Sequence, residues 1–96
     1  MRLNQKEINA IKTTANEIFK NPQIFLFGSR TNDNIKGGDI DLYIKLSYKP
    51  HFLDKPKFLA KLKRIIGDQK IDLVINYPGK EAEIIDTIVQ KEGIKL

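Results

Sequence analysis

The sequence predicts a small α/β (α+β) domain in which helices pack on a mixed β-sheet. Amphipathic segments with a repeat near 3.6 residues alternate along the chain with short apolar or alternating segments of strand length. Most of these segments end at a glycine, a proline or an asparagine, the residues that commonly interrupt regular structure. The chain has 96 residues, the length of one domain with a small core, so we expect a single domain over residues 1–96.

The composition excludes several classes of protein. Because the chain has no cysteine, it has no disulfide framework, thiolate metal site or cysteine nucleophile. No apolar run approaches transmembrane length and the N-terminus lacks the apolar segment of a signal peptide, so we expect a cytoplasmic protein without a membrane partner. The formal net charge of +5 suits a nucleotide or nucleic-acid partner, although lysines on a solvated surface give the same charge.

The first half of the chain contains one predicted helix and one predicted strand. Residues 5–20 are amphipathic, and Asn4 and Glu7 stand in the positions of a capping box at the start of this helix. Residues 24–27 are uninterruptedly apolar, which predicts a strand buried on both faces. The polar residues 29–38 connect it to the next strand, and we expect a short helical turn within them. The residues expected to form the apolar face of the helix are Ile8, Ile11, Ala15, Ile18 and Phe19.

The second half adds two strands and two helices. Residues 39–46 alternate strictly, which predicts a strand with one polar and one apolar face. Residues 56–66 and 80–92 read as helices, and residues 70–77 read as a strand between them, giving the order α-β-α-β-α-β-α. The helix residues expected to face the core are Phe58, Leu59, Leu62, Ile65 and Ile66 in the first helix and Ile84, Ile85, Ile88 and Val89 in the second.

Two acids at the start of the alternating strand determine the expected topology. Asp39 and Asp41 leave the same face of that strand, because side chains alternate between faces. If Gly28 at the end of the first strand meets Asp39, those two strands run antiparallel. If Asp72 on the third strand joins the two acids, the second and third strands run parallel, with the helix at 56–66 as a right-handed crossover.

Three carboxylates at one place require a compensating charge or proton. At about 5 Å and an effective dielectric constant near 20, each pair repels by roughly 3 kcal/mol. Either some of the acids are protonated or a divalent cation neutralises them. Oxygen ligands favour Mg²⁺ or Mn²⁺, and two such ions are the usual device for phosphoryl transfer. A lone Asp-x-Asp often arises by chance, but a purely structural role for all three acids at strand positions would be costly.

The Gly28-Ser29 turn has a matching use beside these acids. Glycine lets the backbone approach a ligand closely, and a turn that leads into a helical start presents N–H groups to phosphate oxygens. The hydroxyl of Ser29 adds a donor. Arg30 either reaches the phosphates or faces solvent, and the sequence leaves this choice open.

The motifs "LFGSR", "GGDIDLYI" and "KIDLVIN" together resemble the minimal nucleotidyltransferases, or MNT domains, of the DNA polymerase beta superfamily. The resemblance covers nearly the whole chain and implies the nucleotidyltransferase fold. It implies that Asp39 and Asp41 bind Mg²⁺, and that Asp72 completes the metal site or acts as the base on the attacking hydroxyl. It also implies that Gly28 and Ser29 hold the phosphates of ATP or another nucleoside triphosphate.

Small members of that family are often paired with a helical HEPN toxin. The resemblance therefore implies an antitoxin that transfers AMP from ATP to such a partner, and the short chain independently favours a macromolecular acceptor. Two other hypotheses remain open: a binding module that neutralises a partner by contact alone, and a nucleic-acid-binding protein. The sequence does not decide the acceptor or the oligomeric state.

Overall fold

The computed structural model describes residues 3–28 and 39–96. The predicted helical turn within 29–38 lies outside the described residues. The described elements occur in the predicted order, with one short strand added at the C-terminus. They are α1 (Gln5–Ile18), β1 (Gln23–Phe27), β2 (Ile40–Lys45), α2 (Asp54–Ile66), β3 (Ile71–Asn76), α3 (Ile84–Glu92) and β4 (Ile94–Lys95).

The strands form one mixed sheet in the order β3-β2-β1-β4. β1 and β2 pair antiparallel, whereas β2 and β3 pair in parallel, so both predicted strand orientations are confirmed. β4 pairs antiparallel with the other edge of β1, where Leu26 lies opposite Ile94. The sequence analysis did not predict β4, because a strand of two residues is too short to show an alternation of polar and apolar side chains.

Helices α1 and α2 cover one face of this sheet and form the core with it. Ile40, Leu42 and Ile44 of β2 are fully buried there, as the alternation of that strand predicts. Phe58 and Leu62 of α2 are also fully buried in this cluster. The residues that α1 contributes to the core are Ala10, Ile11 and Ala15, with Ile8 and Ile18 partly buried beside them.

The predicted capping box at the start of α1 is present. The Asn4 side chain accepts a hydrogen bond from the Glu7 N–H at 2.8 Å, and the Glu7 carboxylate accepts one from the Asn4 N–H at 3.1 Å. The second oxygen of Glu7 accepts a hydrogen bond from the Gln69 amide at 2.8 Å, which explains how this acid tolerates burial. The cap therefore also ties α1 to the loop before β3.

Three burial predictions were wrong. β1 is buried on one face only, because Phe25 and Phe27 are partly exposed on the other. Ile65 of α2 is 42% exposed, because only a narrow row of residues on this helix, which includes Phe58 and Leu62, faces the sheet. In α3, Ile84 is 82% and Ile88 is 40% exposed, because the helix approaches the sheet mainly through the opposite side.

The start of α3 also differs from the prediction, at residue 84 instead of 80. Lys80 lies before the helix and donates from its ammonium group to the Ile75 carbonyl at 2.9 Å. The Glu83 N–H donates to the Asp86 carboxylate at 2.8 Å and so marks the first turn. Among the described residues, no helix combines the length and apolar character needed to cross a membrane.

Candidate active site

The candidate site lies on the sheet face opposite α1 and α2, which we call the acid face. Phe27 of β1, Asp41 of β2 and Asp72 of β3 stand in one row across three neighbouring strands. Side chains in one row of a sheet leave the same face, so the two carboxyl groups come together without any loop rearrangement. The predicted meeting of Asp41 and Asp72 is therefore a direct result of the parallel β2–β3 register.

Asp41 is the central carboxyl group of the site. Its pKa is raised above the ordinary value of 3.8, first by burial and then by the negative charges of Asp72 and Asp39. A side-chain hydrogen bond with Asp72 raises it further, whereas the positive charge of Lys70 opposes the rise. Asp41 therefore holds a proton more tightly than an isolated aspartate does.

Asp39 stands immediately before β2 and is half-buried. One of its oxygens lies 3.4 Å from the ammonium group of Lys70, forming an ion pair on the acid face. Lys70 was not among the predicted site residues. Its signal in the sequence is the Lys-Ile-Asp spacing, which places Lys70 on the same face as Asp72 and, through the register, opposite Asp39.

Gly28 ends β1 against the carboxyl group of Asp41. Its φ is +77°, a backbone conformation that favours glycine. A Cβ placed on Gly28 would overlap the Asp41 carboxylate oxygen and come within 3.0 Å of the carboxyl carbon. The main chain at this turn therefore lies close to the Asp41 side chain, whereas the predicted approach to nucleotide phosphates stays a prediction. Ser29 and Arg30, also predicted as site residues, lie outside the described residues.

Tyr43 occupies the next position along the acid face. This side chain is buried, and its hydroxyl donates to the Asp86 carboxylate at 2.5 Å. Burial and this hydrogen bond raise the pKa of Tyr43 to about 12. The bond holds α3 over the acid face directly behind the row of acids. Asp86 is a second residue that the sequence analysis did not single out.

The chemistry of these side chains fits a hard divalent cation. Asp39, Asp41 and Asp72 offer only carboxylate oxygens, which Mg²⁺ and Mn²⁺ prefer. Within residues 3–28 and 39–96, no three acidic or histidine side chains already stand together as a ligand set. Asp72 lies beside Asp41 in the strand register, whereas Asp39 forms an ion pair with Lys70.

Comparison with known protein families shows which family this chain resembles over most of its length. The model of the family described as "Polymerase beta, Nucleotidyltransferase" matches residues 9–96, a range that includes every element except the start of α1. No curated protein matches the chain. The family match supports a nucleotidyltransferase-type function with a nucleoside triphosphate as substrate, and nucleotidyltransferase domains typically use divalent metals. With this match over almost its whole length, the mixed sheet and the acids on it, the chain belongs to the polymerase beta nucleotidyltransferase family.

Proposed function

We propose that this protein is a Mg²⁺-dependent nucleotidyltransferase that moves AMP from ATP to a hydroxyl group of a macromolecular acceptor. We further propose that the acceptor is a partner protein of the HEPN type and that the transfer makes this chain its antitoxin. The observation that supports the activity best is the Asp41–Asp72 pair on adjacent strands, with Asp39 beside it. Such a cluster is costly to a fold and has an evident use in phosphoryl transfer.

In this proposal Asp39, Asp41 and Asp72 hold the magnesium, with two ions as the expected number. The metal supplies charge neutralisation at the phosphates when it is bound. Gly28 lets the phosphates approach the Asp41 side of the site, and Ser29 and Arg30 are proposed as phosphate donors. Asp72 either completes the ligand set or takes the proton of the attacking hydroxyl.

In the order of the strands, Asp41 has β1 on one side and β3 on the other, and we assign one substrate to each side. Gly28 lies on the β1 side of Asp41, whereas Asp72 lies on the β3 side. We therefore place the triphosphate over β1 and the acceptor over β3. The acceptor oxygen attacks the α-phosphorus, the bond from that phosphorus to the pyrophosphate oxygen breaks, and the hydroxyl proton passes to Asp72 or to water. The chain's own part is to bind, align and neutralise both reactants.

Label transfer from α-labelled ATP tests the proposal. Purified protein and Mg²⁺ would be added to a lysate of the source cell, beside the Asp39→Ala/Asp41→Ala variant. A labelled protein band that needs both acids is the expected result and exposes the acceptor. Labelled RNA would replace the protein acceptor with RNA, and no transfer from any of the four nucleotides by folded protein would overturn the activity. Asp68→Ala, a single charge change at an exposed loop residue, serves as the control.

A binding module remains the second candidate because α3 carries exposed apolar residues. Ile84 is 82% exposed and Ile88, one helical turn later, is 40% exposed, which suits a protein contact. Co-expression with the toxin separates the two functions. Neutralisation by the Asp39→Ala/Asp41→Ala variant favours contact alone, whereas a complex that forms without neutralisation favours catalysis.

A further inference from the structure

A groove runs along the outer edge of β3, beside the candidate active site. Its volume is about 690 Å³, and Leu73 and Ile75 of β3 form its floor. Lys49, Phe52 and Lys55, from the β2–α2 connection and the start of α2, form one wall, and Lys80 stands on the other. We call this feature the edge groove.

The backbone of β3 faces this groove with hydrogen-bonding groups. The carbonyls of Lys70 and Asn76 accept hydrogen bonds from β2 at 3.0 and 2.9 Å, so these even-numbered residues face the sheet. In a parallel ladder the residues between them face away from that neighbour. The Ile75 carbonyl confirms this orientation, because it accepts its hydrogen bond from Lys80. β3 is the last strand on this side of the described sheet, so the groups of Leu73 point into the groove.

The walls of the edge groove are positively charged. Lys49 and Lys55 are exposed, and neither forms an ion pair with any residue that the structure describes. Lys80 pairs with Glu83 at 3.0 Å, and this glutamate supplies the groove's acidic charge. Phe52 is 80% exposed above the groove, with its ring against His51 at a centroid distance of 4.6 Å. The surface thus combines an open strand edge, an exposed aromatic ring and an excess of cations.

From these features we infer that the edge groove binds an extended, acidic peptide segment of a protein partner. The peptide adds as a further strand to β3 and pairs with the main chain of Leu73, and its carboxylates lie against Lys49 and Lys55. Lys80 closes one end of the edge by holding the Ile75 carbonyl. Side chains of the peptide that face inward contact Phe52.

The strand edge is what favours a peptide over single-stranded nucleic acid. Lysines and an exposed aromatic ring suit either ligand, because both phosphates and carboxylates are anionic and both bases and apolar side chains pack on a ring. Only a polypeptide presents N–H and C=O groups at the spacing of a β-strand. The lysines and Phe52 would accept either a peptide or a nucleic acid, whereas the open backbone edge of β3 favours a peptide.

The edge groove lies close enough to the acids for a bound peptide to belong to the acceptor. Val74, which also lines the groove, lies on the acid face two residues beyond Asp72, a distance of about 7 Å along a strand. A peptide in the groove would therefore present neighbouring hydroxyl groups to the acids from the β3 side. This second statement rests on the proposed function, whereas binding of the peptide does not.

Fluorescence anisotropy without nucleotide tests the binding directly. The probe is a fluorescein-labelled peptide of about eight residues, a strand's length, alternating glutamate and valine. We expect saturable binding that weakens with rising salt and that falls about tenfold in Lys49→Glu/Lys55→Glu. The matched control is Lys6→Glu/Lys12→Glu on α1, with the same change in charge outside the groove, and it should stay within about twofold of wild type.

A second readout tests the strand pairing itself. Hydrogen exchange at the Leu73 amide should slow when the peptide binds, and the same peptide with N-methylated backbone positions should neither bind nor protect. Equal binding of the N-methylated peptide would overturn the pairing. Binding of an oligouridylate probe with the same lysine dependence would overturn the peptide assignment, as would a salt-independent dimer that covers the groove. The peptide-binding measurement contains no ATP, so loss of peptide binding contradicts this inference, whereas loss of nucleotidyl transfer contradicts the proposed function.

Discussion

Asp41 and Asp72 are register partners on the parallel strands β2 and β3, so their side chains leave the same face of the sheet beside each other. Burial raises the pKa of Asp41, and the charge of Asp72 adds to the rise. The folded chain therefore holds a proton at Asp41 more tightly than the unfolded chain does. An arrangement that costs stability in this way indicates a functional site more strongly than a structural one.

Replacing Asp41 with asparagine should stabilise the protein in chelator at neutral pH. Asn keeps the shape of the protonated side chain and removes the repulsion, for a gain of about 1 kcal/mol. For a domain of this size the melting temperature should rise by roughly 4–8 °C. Thermal unfolding followed by circular dichroism measures this. Label transfer from ATP by the same variant should be lost, because the carboxylate is proposed to bind metal.

The pH dependence of this gain follows from the direction of the shift. The folded pKa of Asp41 lies above the unfolded value of 3.8, so the native state loses stability as the pH rises through the folded pKa. The advantage of Asp41→Asn should therefore be complete above the folded pKa and disappear below pH 3.8. Asp68→Asn, an exposed loop change of equal charge, is measured beside it as the control. A constant gain at all pH values would contradict the account.

Added Mg²⁺ should stabilise the wild-type protein. An ion at about a hundred times its Kd adds about 2.7 kcal/mol to the free energy of unfolding if it binds only the folded state. A metal ion and a proton compete for the Asp41 carboxylate, so the apparent affinity should fall as the pH is lowered towards the raised pKa of Asp41. Calorimetry in two buffers of different ionisation enthalpy measures the proton release. K⁺ at matched ionic strength is the control, and equal stabilisation by K⁺ would contradict specific binding.

Gly28→Ala should remove activity and lower stability, whereas Gly79→Ala should only lower stability. Both glycines have positive φ, at +77° and +89°, so an alanine is strained by about 1 kcal/mol at either position. Only the Cβ at Gly28 meets Asp41, since nothing lies within 4 Å of a Cβ at Gly79. Urea unfolding measures the shared loss and label transfer measures the difference. Full activity in folded Gly28→Ala would show that the close approach to Asp41 is dispensable.

The sequence was sufficient for those parts of the fold that local alternation determines. The two faces of β2 follow from its alternation, and the parallel β2–β3 pairing follows from placing Asp41 and Asp72 together; both are confirmed. The orientation of α3 was not predictable in the same way. Its isoleucines and Val89 form a wide apolar surface, and only tertiary packing decides that Val89 is buried and Ile84 is exposed.

The candidate site likewise has features that the sequence predicts and features that only the tertiary structure reveals. The positions of the acids were readable because Asp39 and Asp41 alternate with apolar residues and Asp72 stands between two apolar residues. The ion pair of Asp39 with Lys70 needs the strand register, which only the assembled sheet supplies. The bond from Tyr43 to Asp86 joins residues 43 positions apart, so no local pattern predicts it.

Tyr43→Phe tests what that long-range bond contributes. The hydroxyl of Tyr43 is buried and donates to Asp86 at 2.5 Å, and a hydrogen bond to a charged group is worth about 1.5–3 kcal/mol. Asp86 is partly exposed and keeps the Glu83 N–H, so we expect a loss at the lower end of this range, about 1.5 kcal/mol. Backbone amides of α3 should exchange faster with solvent, because the bond holds this helix to the acid face.

The matched control is Tyr48→Phe. The Tyr48 hydroxyl accepts a hydrogen bond from the exposed Lys20 N–H at 2.9 Å, so water can replace it and the expected loss is below about 0.5 kcal/mol. Urea unfolding and hydrogen exchange would be measured on both variants. Equal losses in the two variants, with exchange in α3 unchanged, would mean that α3 is held by the packing of Val89 and not by the Tyr43 hydroxyl. A loss confined to Tyr43→Phe would establish that the strand carrying Asp41 also anchors the helix that covers it.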